Sequence, residues 1–308
     1  MRNGLSPCCL ALPHMRKAPW PTVMAFVLEH LPRVAPGVWA QRFATGQVLD
    51  EQGHPLTPLT PYQGGTKVYY WRDVPDEELV PFEEHIVFED DHLLVVDKPH
   101  FLAVTPGGRH VHETLLVRLK RRTGLVDLSP LHRIDRETAG LVLFSKRPQD
   151  RNAYQQLFRE RQVGKTYEAV APWLPNLALP HVRRSALVKD ETTFYRMREA
   201  RADEGFAPNT ETHITHMVPL QTHNTQGQAL ALYTLHPHSG KRHQLRIHMM
   251  HLGAPIEGDL FYPQVLHKPD EPDDYSRPLQ LLCKSMVLDD PITQQRRVFE
   301  SRLSLALA

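Results

Sequence analysis

Apolar positions along this chain change their period several times, and each change marks an element. Thr22-Val-Met-Ala-Phe-Val-Leu-Glu-His-Leu31 has the spacing of a short amphipathic helix. Gln47–Asp50 reads as a strand entering a turn, and Gly64-Gly65 precedes a β-rich run over Thr66–Trp71. From Ile86 the texture changes. Ile86–Glu89 and Leu93–Asp97 flank a turn at Asp90-Asp91 and predict a β-hairpin. Glu113–Arg122 returns to helical spacing, with Leu115, Leu116 and Leu119 on one side and Arg118, Lys120, Arg121 and Arg122 around it. Leu141–Ser145 predicts a buried strand, Arg151–Arg161 a helix and Lys165–Val170 a strand. Ala229–Leu235 and Leu281–Leu288 predict two further strands, and Gln244–Leu252 a helix. Strands and helices mix without strict βαβ alternation, so the expected class is α+β and not a doubly wound sheet.

The length of 308 residues suits one large domain or two modest ones. Residues 15–80 read as a small N-terminal domain and 81–308 as a larger one, with an acidic, Pro-containing linker over Asp73–Glu84. Residues 1–14 are expected to be poorly ordered or a mis-assigned start, because Pro7 and Pro13 interrupt their apolar patch and Met15 offers another start. Segments 174–184 and 199–210 look like insertions.

Composition changes this picture little. Apolar residues at 41% and charged residues at 23% are ordinary for a soluble chain. No apolar run approaches the roughly 18 residues of a membrane span. Cys8, Cys9 and Cys283 have neither disulfide nor metal spacing, so a reducing cytoplasm and a monomer are the expectations. Net charge is only +1, but it is unevenly placed. Residues 73–97 hold ten Asp/Glu and no Lys/Arg, whereas residues 98–165 hold fourteen Lys/Arg against six Asp/Glu. The basic middle is either a solvated surface or a phosphate-binding face.

The candidate chemistry lies in Leu131-His-Arg-Ile-Asp-Arg-Glu-Thr-Ala-Gly-Leu141. It places Asp135 between arginines, in a loop bounded by Pro130 and Gly140 and running into an apolar strand. His132-Arg133-x-Asp135-x-x-Thr138-x-Gly140 resembles the catalytic signature of the RluA-type pseudouridine synthases. Further segments match in order. Val96-Asp97-Lys98-Pro99 with Val104-Thr-Pro-Gly107 is a partial match, having Asp97, Phe101 and Thr105 where the family has Asn, Gly and His. Lys165-x-Tyr167-x-Ala169, Ser239-Gly-Lys-Arg-His-Gln-Leu-Arg-Ile-His248 and Gly258-Asp259-x-x-Tyr262 follow, with Ser239 and Lys241 as mild departures. The resemblance spans about residues 86–290.

The resemblance implies a pseudouridine synthase catalytic domain: a mixed, mainly antiparallel sheet flanked by helices and loops. It implies isomerisation of a uridine in structured RNA, with large-subunit ribosomal RNA the expected target and transfer RNA the alternative. That reaction cuts the bond from the uracil nitrogen to the sugar, rotates the base and rejoins it through carbon. It calls for no cofactor and no metal. Asp135 is the implied carboxylate, as nucleophile or as base. Arg246 is its implied guanidinium partner, with Arg242 second, since an opposed cation favours an ionised carboxylate. Tyr167 is expected to stack on the flipped uracil, an interaction worth roughly 1–3 kcal/mol per base, and to help move the final proton. Arg136 is expected to wedge or hold the flipped nucleotide. His132 and Arg133 are expected to buttress the loop and reach phosphate, with Lys98 and Lys241 as lesser RNA contacts. Arg118, Lys120, Arg121 and Arg122 are expected to touch backbone phosphates. Arg42-Phe-x-x-Gly46-x-Val48 and Gly65-x-x-Val68 resemble a degenerate small RNA-binding domain, leaving an RNA-binding or a purely structural role open.

Other readings fare worse. His110-x-His112-Glu113 lacks the Pro-Cys-x-x-Cys of a zinc deaminase. His243, His248 and His251 lack the His-Glu-x-x-His form. His132-Arg133-Ile134-Asp135 has one residue too many for a kinase loop, and no Asp-Phe-Gly follows. The remaining alternative is a non-catalytic RNA-binding or ribosome-assembly protein on the same fold, against which the intact set of Asp135, Tyr167 and Arg246 argues.

Overall fold

Thr22 starts the first helix as its pattern predicts. The Thr22 hydroxyl accepts a hydrogen bond from the Ala25 amide at 3.1 Å, capping α1 (Val23–His30). The computed structural model describes residues 3–32, 34–72, 77–266 and 271–308. Asp73, Pro75 and Asp76 of the expected linker, and Met1 and Arg2 of the expected start, lie outside the described residues.

The chain forms two units. The smaller comprises Met1–Glu77 with Gly108–His112 and Leu119–Val126; the larger comprises Glu78–Gly107, Glu113–Arg118 and Asp127–Ala308. The boundary expected after residue 80 therefore falls a few residues earlier, and two short stretches expected in the larger domain belong to the smaller unit.

In the smaller unit, β1 (Cys8–Ala11) and β2 (Val48–Leu49) pair antiparallel on either side of β3 (Lys67–Tyr70). The first fourteen residues thus contribute a strand, contrary to the expectation of poor order, because Leu10 faces Val68 and Leu12 is buried. A second helix, α2 (Pro36–Ala44), was not marked by the pattern. Pro36 fits its first turn, where no amide partner is needed. Val23, Phe26, Val27, Trp39, Phe43, Val48 and Val68 form the core.

The larger unit is built on a ten-stranded sheet. Its strands are β4 (His85–Glu89), β5 (Leu93–Lys98), β6 (Ser129–Pro130), β7 (Ala139–Ser145), β8 (Gly164–Pro172), β9 (His181–Ser185), β12 (Thr210–His223), β13 (Ala229–Pro237), β14 (Leu281–Asp289) and β15 (Arg296–Glu300). β10 (Leu187–Lys189) and β11 (Met197–Glu199) form a separate antiparallel hairpin. The order is β4-β5-β7-β14-β8-β13-β12-β9, with β15 beside β14 and β6 beside β7. Among these pairings only β7 with β14 is parallel, so the expected mixed, mainly antiparallel sheet is what forms. Every residue of β5 and β7 is buried, which explains their continuous apolar runs. Helices α4 (Arg151–Arg159) and α5 (Gln244–His251) match their expected spans closely. Helix α3 (Leu115–Thr123) does too, but its residues are divided between the two units.

Candidate active site

The loop that holds Asp135 leaves β6 and enters β7, and its two ends are fixed by different means. At the start, the Leu131 amide donates to the Leu143 carbonyl at 2.9 Å and the Leu143 amide donates to His132 Nε2 at 3.1 Å. His132 Nε2 must then be unprotonated. Burial agrees, pushing its pKa down to about 3, and the ring stacks on Phe158 with centroids 4.7 Å apart. At the end, Gly140 has φ +107° and pairs with Cys283 across the parallel junction. A Cβ there would lie 2.3 Å from the Cys283 carbonyl oxygen, so only glycine fits. Between these anchors the Thr138 amide donates to the Asp135 carbonyl at 3.2 Å, closing a turn.

Arg246, on α5, lies at the centre of the carboxylates. It is fully buried. Its Nε donates to Asp259 Oδ2 at 2.8 Å and its Nη2 to Asp259 Oδ1 at 2.6 Å. Its Nη1 donates to Glu137 Oε2 at 3.4 Å and lies 3.6 Å from Asp135 Oδ2. The rings of Phe261 and Tyr262 lie 5.0 and 5.5 Å from the guanidinium. Asp259 is held in turn by the amides of Phe261 and Tyr262, at 2.8 and 3.1 Å. Burial works to raise the Glu137 pKa, but the guanidiniums of Arg246 and Arg136 outweigh it and hold the carboxyl at about 2. The Asp135 side chain is 22% exposed, against 10% for Glu137 and 1% for Asp259. Of the three carboxylates on this cation, Asp135 is the one open to a substrate.

Tyr167, on β8, faces the same place. It is cross-strand from Cys283. Burial first, then Cys283 and the Asp135 charge, raise its pKa well above that of an ordinary phenol. It is therefore a neutral phenol near pH 7. Burial likewise pushes the Cys283 thiol up to about 12.

Several expected RNA contacts are committed elsewhere. Lys98 is 0% exposed, and its ammonium donates to the carbonyls of Pro99 at 2.8 Å and Arg136 at 3.0 Å. It braces the Asp135 loop from within and reaches no phosphate; burial lowers its pKa to about 7. Arg136 makes a two-pronged ion pair with Asp273, 2.7 Å on each arm, and its Nε donates to Glu137 at 3.1 Å. In this arrangement its guanidinium is held by protein carboxylates. His132 buttresses the loop through the bond that its Nε2 accepts from the Leu143 amide. Arg118 donates to Glu113, to Glu84 and to the carbonyls of Val80 and Phe82. Lys120 is buried and donates to Ser6 Oγ at 3.2 Å. The residues that remain exposed are Arg133, Lys241, Arg242, Arg121 and Arg122. Arg242 donates to the Tyr195 carbonyl at 2.6 Å, and Arg121 to the Asn3 carbonyl at 2.8 Å.

Glu137, His243, Asp259 and Tyr262 also belong to this site, although the sequence implies no role for them. Asp259 and Tyr262 stood in a recognised motif, whereas Glu137 occupied an unspecified position within the Asp135 signature. His243 Nδ1 bonds the Tyr262 hydroxyl at 2.8 Å, and that hydroxyl donates to the Met197 carbonyl at 2.8 Å. The chain of contacts holds α5 in place and with it Arg246.

Comparison with known proteins agrees with this geometry. The family described as RNA pseudouridylate synthase matches residues 92–251. A dual-specificity RNA pseudouridine synthase RluA of Haemophilus influenzae is 30% identical over 219 residues, covering 70% of this chain and 92% of its own. A tRNA pseudouridine synthase C of Vibrio cholerae is 29% identical, covering 71% of this chain and 90% of its own. A ribosomal large subunit pseudouridine synthase C of Rickettsia typhi is also 29% identical, covering 71% and 68%. The solved structure of human RNA pseudouridylate synthase domain containing 1 has the same fold, with a TM-score of 0.56 at 20% identity over 73% of this chain and 91% of its own.

Proposed function

This chain belongs to the RNA pseudouridylate synthase family, in its RluA-type branch, and is an RNA pseudouridine synthase; on that premise we propose that Asp135 is its catalytic carboxylate and large-subunit ribosomal RNA its target. The observation that carries the first part is the unequal division of Arg246. Asp259 and Glu137 anchor the guanidinium out of solvent, and its Nη1 lies 3.6 Å from the one exposed carboxylate. The guanidinium orients Asp135 without occupying the face a substrate must reach.

A uridine flipped from its loop enters with its sugar toward Asp135. Asp135 acts there either as nucleophile on the sugar carbon or as the base that removes a sugar proton, while the bond from carbon to the uracil nitrogen breaks. The uracil turns and its C5 bonds to the same sugar carbon, as the bond from that carbon to the Asp135 oxygen breaks in the first case or the abstracted proton returns to the sugar in the second; the proton displaced from C5 is lost as one returns to the nitrogen. Product and substrate are isomers, so no other reactant is consumed. The buried ring of Tyr167 offers a stacking face to the uracil. Its protonated hydroxyl suits donation or relay of a proton, not abstraction unaided.

The rRNA assignment rests on the ribosomal enzyme among the relatives, and the tRNA enzyme among them supports the second reading. A monomer in the cytoplasm completes the proposal, the three cysteines being free thiols. Pseudouridine mapping of total RNA from cells lacking this protein, complemented with wild type or Asp135→Asn, tests both parts. Specific ribosomal sites should vanish and return only with wild type, and the purified variant should lose about 10^2- to 10^4-fold in rate. Restoration by Asp135→Asn would reject the catalytic assignment. Loss confined to transfer RNA would reject the ribosomal one.

A further inference from the structure

The face of the sheet that β12 and β13 turn away from the core carries a cluster that the reaction does not use. Along β12, Thr212 and Ile214 point inward, so the two-residue period turns Glu211 and His213 outward together. Across the pairing, Thr212 faces Pro237 and the His238 amide donates to the Glu211 carbonyl at 3.0 Å. His238 is thereby set beside them. His213 Nε2 lies 2.6 Å from Glu211 Oε1, and the rings of His213 and His238 are 4.2 Å apart. One ligand atom from each of Glu211, His213 and His238 lies within 4.8 Å of the others.

We propose that Glu211, His213 and His238 form a binding site for one divalent transition-metal ion of the zinc class, with a fourth position open to water. Two imidazoles and one carboxylate are a ligand set that zinc accepts, at about 2.0–2.2 Å each. Around a tetrahedron that places ligand atoms about 3.3–3.5 Å apart. The three atoms lie within 4.8 Å of one another, and the Glu211–His213 pair, at 2.6 Å, is hydrogen-bonded and closer than that separation; an ion would replace this bond and part the pair, while the exposed His238 turns inward by side-chain rotation. The backbone is already fixed by strand pairing. The Glu211 amide donates to Ser239 Oγ at 2.9 Å, and the Glu211 carbonyl accepts from Gln244 Nε2 at 2.9 Å.

The other oxygen of Glu211 accepts from Arg184 Nε at 2.6 Å. That bond orients the carboxylate as outer-shell partners of metal ligands do. Arg184 also opposes a dication, but its side chain is 62% exposed, so solvent screens it and it can swing aside. His236 is excluded from the set, since its two ring nitrogens face Thr166 Oγ1 and Thr215 Oγ1 at 3.4 and 3.0 Å. The site stands at the root of the loop Ser239–His243 that leads into α5. An ion there would tie β12 to β13 where that loop begins.

The test uses the untagged full chain, stripped with chelator and desalted, titrated with Zn2+ by calorimetry and with Co2+ by visible absorption. One equivalent should bind with micromolar affinity, the cobalt form should have the intense absorption of a tetrahedral site, and Mg2+ should not compete. His213→Ala and His238→Gln should each weaken binding by at least the roughly 10- to 100-fold that loss of an outer-shell partner costs, and His223→Ala, at an exposed histidine elsewhere on β12, should leave it unchanged. Metal-free melting curves identify any variant that fails to fold. If His213→Ala does, His238→Gln decides alone, its side chain lying on the surface. Absence of micromolar binding overturns the proposal. So does binding that His238→Gln leaves unchanged, because the ion would then rest on other histidines.

Discussion

Arg118 and Arg246 are both arginines of the larger unit held by more than one carboxylate, and they do different things. Arg118 directs Nη1 and Nη2 to the carbonyls of Phe82 and Val80 at 2.7 and 2.8 Å and adds Glu113 and Glu84. Its donors close on the segment leading into β4, and the result is a tie. Arg246 gives its two short bonds to Asp259 alone. Its Nη1 has only the longer contacts at 3.4 and 3.6 Å, to Glu137 and Asp135. A guanidinium has five N–H donors, and where the last of them points separates an arginine that secures a fold from one that prepares a site.

Replacing each arginine gives the sharpest break of this comparison. Arg246→Met leaves Asp259 and Glu137 buried without their cation, which should cost about 3–5 kcal/mol in urea unfolding and abolish pseudouridine formation in the fraction that stays folded. Arg118→Met should also lower stability but leave the rate constant of folded enzyme near wild type. An equal fall in that rate constant in both variants would erase the distinction.

Acid sharpens the Arg246 side. Burial depresses the pKa of His132 to about 3 and those of His100 and His243 to about 4, below the ordinary 6.5. Between those values the unfolded chain binds protons that the native state refuses, so stability must fall as pH drops below about 6.5. Glu137, held at about 2, adds a second loss as pH falls from 4.5 toward 2. The urea midpoint should therefore be flat above neutrality with respect to these groups and fall in two stages below it. A midpoint unchanged from pH 6.5 to 4 would contradict the buried neutral histidines.

Lys98 tests the loop from beneath. Its pKa of about 7 lies below the ordinary 10.5, so the unfolded chain holds the extra proton between these values and this residue's contribution to stability rises with pH across that window. Lys98→Met should remove that pH dependence, while the loss of the bond to the Arg136 carbonyl lowers the rate constant severalfold with KM little changed. An unaltered rate constant would mean the loop does not need its brace.

The smallest effects belong to the exposed residues. Arg133→Ala and Lys241→Ala should each weaken RNA binding similarly across sequences, and each should reduce the slope of log affinity against log salt by about 1. Filter binding between low and physiological salt measures this. A salt response unchanged by both would place the RNA backbone elsewhere.

Much of this was readable in the chain. Strands β5 and β7 are apolar throughout because both faces are covered, and Thr22 caps α1 where a capping residue stands before an apolar period. Strand β12 was not read, because its buried positions include Thr210 and Thr212 and its outward ones are histidines, glutamate and proline. Asp135 and Arg246 were legible through their motifs. Side-chain commitment was not: Lys98, Arg118 and Arg136 have the composition of phosphate contacts, and only three-dimensional pairing shows them bound to carbonyls and carboxylates. The Glu211, His213 and His238 cluster was invisible for a related reason, since strand register and not local spacing assembles it.

The parallel junction of β7 with β14 bears on how the enzyme comes to life. Gly140 and Cys283 are separated by more than a hundred residues, yet their contact fixes the end of the Asp135 loop. Pairings so distant in sequence form slowly, after nearer ones have reduced the entropy of closing the intervening chain. A nascent chain can therefore complete the hairpin of β4 and β5 and still have no seat for the loop. The Asp135 loop thus depends for its seat on a strand that follows it by more than a hundred residues.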